Sequence, residues 1–192
     1  MSAHASPSAA PSLALLVIDI QQGAFDGELC PPIDDADALV AGARTLVAAA
    51  REGGVPIVFI QHSDDEPGPF EDGTRQWQLH PDLSPTRDDH VMKKPASSSF
   101  ERTALDDHLR GRDVGALVLC GLQSEFCVTN TARAALGLGY RVFVAEDAHA
   151  TWPSEGRTSA AIRRDVNDDL RRAGIGVAAV ARLADELRRG AR

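Results

Sequence analysis

The chain reads as short apolar runs separated by amphipathic stretches. Leu13-Ala14-Leu15-Leu16-Val17-Ile18 is a near-continuous apolar run closed by Asp19, the pattern of a strand buried on both faces. Over residues 35–51 the apolar positions Leu39, Leu46 and Val47 recur at helical spacing among alanines, and Gly53-Gly54 stops that helix. Residues 55–60 predict the next strand. From 61 to 95 the periodicity fails while Pro, Gly, Asp and His accumulate, which predicts a long surface excursion of the kind that often carries function. Beyond it the pattern predicts a helix over 99–109, a strand over 114–120, a helix over 124–138 and a strand over 141–145. A helix over 158–172, a short strand over 177–180 and a terminal helix over 183–189 complete the series.

Regular alternation of strand and helix requires right-handed crossovers. The expected product is an α/β fold, a three-layer α/β/α sandwich around a mainly parallel, Rossmann-like sheet of five or six strands. Ligands in such sheets bind beyond the carboxyl ends of the strands. Asp19 ends the first strand and Cys127 follows a later one by a short turn, so both belong to that rim.

Cys127 has a reactive address. It falls in the first turn of the helix predicted after Gly121-Leu122-Gln123, with Ser124 as the expected N-cap. Unpaired N–H groups and the positive end of the helix dipole favour thiolate over thiol there. Lys93 and Lys94 are the chain's only lysines, every other basic side chain being Arg. A lysine retained in such a composition hints at a need for a compact ammonium group.

Composition narrows the class further. With 192 residues, 43% of them hydrophobic, the chain is expected to form one domain over 13–192, preceded by a disordered Ser/Ala/Pro-rich tail over 1–12. A net charge of -8 without a basic block argues against nucleic acid as a partner. No apolar run has spanning length and the start has neither a basic n-region nor a long h-region, so no membrane partner and a cytoplasmic location are expected. Cys30, Cys120 and Cys127 fit neither a disulfide framework nor a C-x-x-C metal pattern. Gly137-Leu138-Gly139 and Gly174-Ile175-Gly176 lack the context of a dinucleotide loop and read as helix stops.

The ordered set Leu15-Leu16-Val17-Ile18-Asp19-Ile20-Gln21-Gln22, Lys94 six positions before Phe100, Gly121-Leu122-Gln123-Ser124-Glu125-Phe126-Cys127-Val128, Gly139-Tyr140-Arg141-Val142 and Asp147-Ala148-His149 resembles the isochorismatase-like cysteine hydrolases. The resemblance runs from about Leu13 to Val180. Trp77-Gln78-Leu79-His80-Pro81 and the segment around Cys127 resemble the nicotinamidase-related amidohydrolases, a branch that includes streptothricin hydrolases.

The resemblance implies an Asp19-Lys94-Cys127 triad. In that reading Asp19 takes the thiol proton, Lys94 holds the carboxylate ionised and stabilises the thiolate, and Cys127 attacks an amide-like carbonyl to give a thioester. It also implies an oxyanion hole from the backbone N–H groups of Gln123 and Cys127, and a cis peptide between Leu122 and Gln123. The implied activity is cleavage of a C–N bond in a small amide, lactam or ureido compound, without a cofactor, by a homodimer or homotetramer. Gln21, Phe25, Trp77 and Phe126 are the candidate pocket residues. His149 is expected to make a structural hydrogen bond. The Asp-x-His metal-binding segment of true nicotinamidases is absent. Gln61-His62-Ser63-Asp64-Asp65 stands there instead and reads as a solvated loop with no metal assigned. Two alternatives stay open: vinyl ether hydrolysis as in isochorismatases proper, with Asp19 as acid and the thiol dispensable, or a silent binding or redox-sensing protein that keeps the fold.

Overall fold

The computed structural model describes residues 12–64 and 68–190. The expected tail therefore lies outside the described residues except for Ser12, which opens the first strand. In chain order the elements are β1 (Ser12–Ile18), α1 (Ala36–Glu52), β2 (Ile57–His62), β3 (His90–Lys94), α2 (Leu105–Arg110), β4 (Val114–Leu122), α3 (Thr129–Gly137), β5 (Arg141–Ala150), α4 (Ser159–Arg172), β6 (Gly176–Ala178) and α5 (Val180–Arg189). One six-stranded sheet runs in the order β3-β2-β1-β4-β5-β6. Every pairing in it is parallel.

Two cores sandwich this sheet, and the alternation within β1 shows how. Leu15 and Val17 point into the layer formed with α1 and α5, where Leu39, Ala43, Leu46, Leu183 and Leu187 are buried. Ala14, Leu16 and Ile18 point the other way, into the layer that holds Leu105, Leu109, Ala132, Ile162 and Leu170 from α2, α3 and α4. A strand covered on both faces has no polar side to reveal its period, which is why β1 is apolar throughout.

The structure corrects several predicted elements. The 61–95 excursion ends in a strand, β3, whose residues alternate between exposed and covered along the sheet edge. The helix predicted over 99–109 forms only as Leu105–Arg110, and the segment before it is held by turns such as Glu101 N–H to Ser98 O. The helix after β4 begins as a π-helical turn, Ser124–Val128, before continuing as α3.

Topology sets the position of the site. Connections leave β1 and β4 toward opposite faces, so their carboxyl ends part at the centre of the sheet, the switch point where such folds hold ligands. At Gly121 a Cβ would stand 1.9 Å from Ile18 O. Glycine, at φ 127°, lets the end of β4 pass this close to β1.

Candidate active site

Three strand ends converge at the switch point. Asp19 leaves β1 at φ 53°, a left-handed conformation that Asp tolerates better than most side chains. Its carboxylate meets Lys94, the last residue of β3, at 2.8 Å between Nζ and Oδ2. Both side chains are sealed, with 0% of Lys94 and 4% of Asp19 exposed. Cys127, on the π-helical turn after β4, places Sγ 3.2 Å from Lys94 Nζ. The ammonium group also donates to Ala96 O at 3.0 Å and stands 3.2 Å from His62 Nδ1 at the end of β2.

Burial is the largest influence on both acids. It pushes the Asp19 carboxyl above its ordinary value, with the Lys94 charge pulling the other way. The Cys127 thiol is likewise raised, by burial first and by the Asp19 charge next, against Lys94. These directions favour a resting thiol beside a carboxylate whose basicity exceeds that of a surface Asp.

The cap expected from Ser124 is absent. Gln123 occupies the N-cap position without a side-chain cap bond, while the Ser124 hydroxyl is 2.7 Å from His149 Nδ1. His149 Nε2 is 2.9 Å from Asn167 Oδ1, so His149 braces the turn from below, in the structural role expected of it. The peptide joining Leu122 and Gln123 is cis.

The expected pocket residues divide. Gln21 is fully buried, donating to His62 O and Trp77 O and accepting from His62 N–H. Its amide is engaged in tying the excursion to β1 and β2, so it acts as a brace. Trp77 is 9% exposed, donates to Ser63 Oγ and carries Lys93 over its ring. Phe25 packs edge-on against His80. Phe126 is 52% exposed and forms no buried wall. Contacts not anticipated from sequence are those of His62 and of Ser97, whose hydroxyl lies 3.8 Å from Cys127 Sγ and accepts from Asn130 Nδ2 at 2.8 Å.

His62, engaged at both ring nitrogens, does not suit a metal ligand as it stands. Among the described residues no cluster of three or more His, Cys, Asp or Glu side chains could hold one, and Asp65 lies outside those residues. The two nitrogens of His62 face Lys94 and Asp64, and a cation at Nδ1 would meet the ammonium charge. No helix among the described residues is long and apolar enough to cross a membrane.

The isochorismatase domain model matches residues 13–174, and the chain belongs to the isochorismatase family. It is 39% identical over 156 residues to a streptothricin hydrolase of Streptomyces noursei, covering 79% of this chain and 61% of that protein. A second streptothricin hydrolase of the same species is spanned over 50% of its length. The chain is 30% identical over 169 residues to the ureidoacrylate amidohydrolase RutB of Cronobacter sakazakii, covering 70% of this chain and 73% of that one. Among solved structures, N-carbamoylsarcosine amidase from Thermoplasma acidophilum superposes with a TM-score of 0.76 at 28% identity, over 88% of this chain and 96% of that one.

Proposed function

We propose that the protein is a cysteine-dependent hydrolase that cleaves a C–N bond of a small amide, lactam or ureido compound. The observation that carries this reading is the convergence of a carboxylate and a thiol on one buried ammonium group, with Lys94 Nζ 2.8 Å from Asp19 and 3.2 Å from Cys127. A nucleophile, a base and a fixed positive charge are what acyl transfer through a thiol requires.

Asp19 takes the proton from Cys127 as Sγ bonds to the substrate carbonyl carbon, and Lys94 stays protonated throughout. The backbone N–H groups of Gln123 and Cys127 receive the developing oxyanion. Asp19 then gives the proton to the leaving nitrogen, the C–N bond breaks and a thioester remains. A water molecule loses its proton to Asp19 and attacks the thioester, the C–S bond breaks, and the proton returns to sulfur. Phe25, Trp77 and Phe126 are the proposed apolar neighbours of the substrate path. The relatives named for a ureidoacrylate amidohydrolase and an N-carbamoylsarcosine amidase support the C–N class, and the streptothricin hydrolases support a hydrolytic reaction. Assembly as a homodimer or homotetramer and a cytoplasmic location complete the proposal.

The test is a panel of amides, lactams and ureido compounds scored by released amine or ammonia, with wild type and Cys127→Ala side by side. Activity in the wild type and none above background in the variant is the expected result. A folded Cys127→Ala protein that still hydrolyses the substrate overturns the reading.

A further inference from the structure

Lys94 has more acceptors than hydrogens. Its ammonium group carries three N–H bonds, yet Asp19 Oδ2, Ala96 O, His62 Nδ1 and Cys127 Sγ stand at 2.8, 3.0, 3.2 and 3.2 Å. The two shorter contacts, to a carboxylate and a carbonyl, take one hydrogen each. One hydrogen remains for two partners at equal distance, His62 and Cys127.

The histidine is held so that it can compete. An ammonium nitrogen has no lone pair to offer, so Nδ1 facing it must be unprotonated, and the ring hydrogen then sits on Nε2. Asp64 Oδ1 accepts that hydrogen at 3.1 Å. The Phe70 ring stands edge-on to the imidazole, and Gln21 clamps the His62 backbone at both its N–H and its C=O. Among the described residues, the charged and titratable groups turned toward Lys94 are Asp19 from β1, His62 from β2 and Cys127 from the turn after β4. Lys93 points away, to Asp72 and the Trp77 ring.

We propose that His62, oriented by Asp64, is a positioning residue that holds the third hydrogen of the Lys94 ammonium group in the resting site and releases it to Cys127 when the thiol proton moves to Asp19. The inference rests on the reading of Cys127 as nucleophile. A thiol sulfur is a weak acceptor and loses the competition to imidazole, whereas a thiolate wins it. The N–H bond itself does not break. Only its hydrogen bond turns from Nδ1 to Sγ, while the thiol proton passes to the carboxylate. His62 therefore stabilises the resting thiol form, and its removal favours ionisation of the sulfur.

The alkylation rate of Cys127 by iodoacetamide, followed against pH and resolved by peptide mass so that Cys30 and Cys120 are read separately, reports this directly. His62→Phe leaves the hydrogen to the sulfur alone and is expected to lower the midpoint by about one pH unit, a roughly tenfold faster alkylation below the wild-type midpoint. His62→Asn, whose amide oxygen reaches the place of Nδ1, keeps the wild-type midpoint. Asp64→Ala, on a side chain 30% exposed and so a milder change to the fold, frees the ring to turn its lone pair away and moves the midpoint in the same direction by less. Midpoints for His62→Phe and Asp64→Ala that match wild type overturn the inference, as does a His62→Asn shift as large as that of Phe. A wild-type Cys127 that does not alkylate at any pH overturns the nucleophile reading itself and this inference with it. An unmoved midpoint at a reactive Cys127 removes this inference alone.

Discussion

Replacing Lys94 by Met keeps the volume of the stem and removes the charge, so it isolates what the buried cation does for its surroundings. In the wild type the ammonium group answers Asp19 at 2.8 Å with neither side chain more than 4% exposed. Lys94 is the ion-pair partner of this carboxylate among the described residues, so Lys94→Met leaves it buried without that countercharge. Breaking a buried ion pair by removing one partner costs about 3–5 kcal/mol. That cost depends on pH, and its sign follows from Asp19. Burial already raises its pKa above the ordinary 3.8 against the pull of Lys94, and in the variant burial acts with that pull removed. The folded variant thus binds a proton that the unfolded chain has released, and its stability falls as pH rises from the unfolded value to the raised folded one. Urea unfolding of wild type and Lys94→Met should show the full loss near about pH 8 and a smaller one near about pH 5. The double variant Asp19→Asn/Lys94→Met removes both charges. It should be more stable than Lys94→Met at the higher pH and nearly indifferent to pH. Asn is chosen because it tolerates the φ of 53° at this position. A loss under about 1 kcal/mol at the higher pH, the range of an exposed pair, or equal losses at both pH values, would refute the reasoning.

Two further outcomes test the frame around the site. Gly121→Ala places a Cβ against Ile18 O at a φ of 127°, and denaturant titration should show a loss of more than about 3 kcal/mol, because every atom it meets is Ile18 backbone at the sheet centre. His149, pushed down to about 4 by burial against an ordinary 6.5, contributes stability that is complete above the unfolded value and is lost as pH falls toward the folded one. Unfolding titrations across that window should give a shallower slope for His149→Asn than for wild type; equal slopes would show that His149 does not titrate with folding.

How far the residues themselves announced this arrangement differs from element to element. The run closing on Asp19 and the stretch over Ile57–His62 are apolar because both faces of a central parallel strand are covered, and such runs are visible without coordinates. The helix Ala36–Glu52 carries its spacing and its stop openly. By contrast β3 is an edge strand with alternate residues exposed, so its composition is that of a loop. The helix Leu105–Arg110 is shorter than its pattern because Ser99 is bound to Thr131, its N–H donating to Thr131 Oγ1 and its Oγ accepting from it; side-chain bonds to the backbone of this kind compete with helix.

The identities are legible along the chain: a carboxylate at a strand end, a cysteine just past a strand-to-helix turn, and one of two lysines among cations that are otherwise all arginine. Tertiary structure decided what these groups meet. The 3-2-1-4-5-6 strand order brings residues 19, 94 and 127 to one switch point, assigns Ser124 to His149 instead of a helix cap, turns Gln21 inward as a brace and sets His62 against the ammonium group. Those partners lie tens of residues apart along the chain. A local pattern records which face a residue turns, whereas the hydrogen-bond partner it finds there depends on strand order and register, which only the folded sheet fixes.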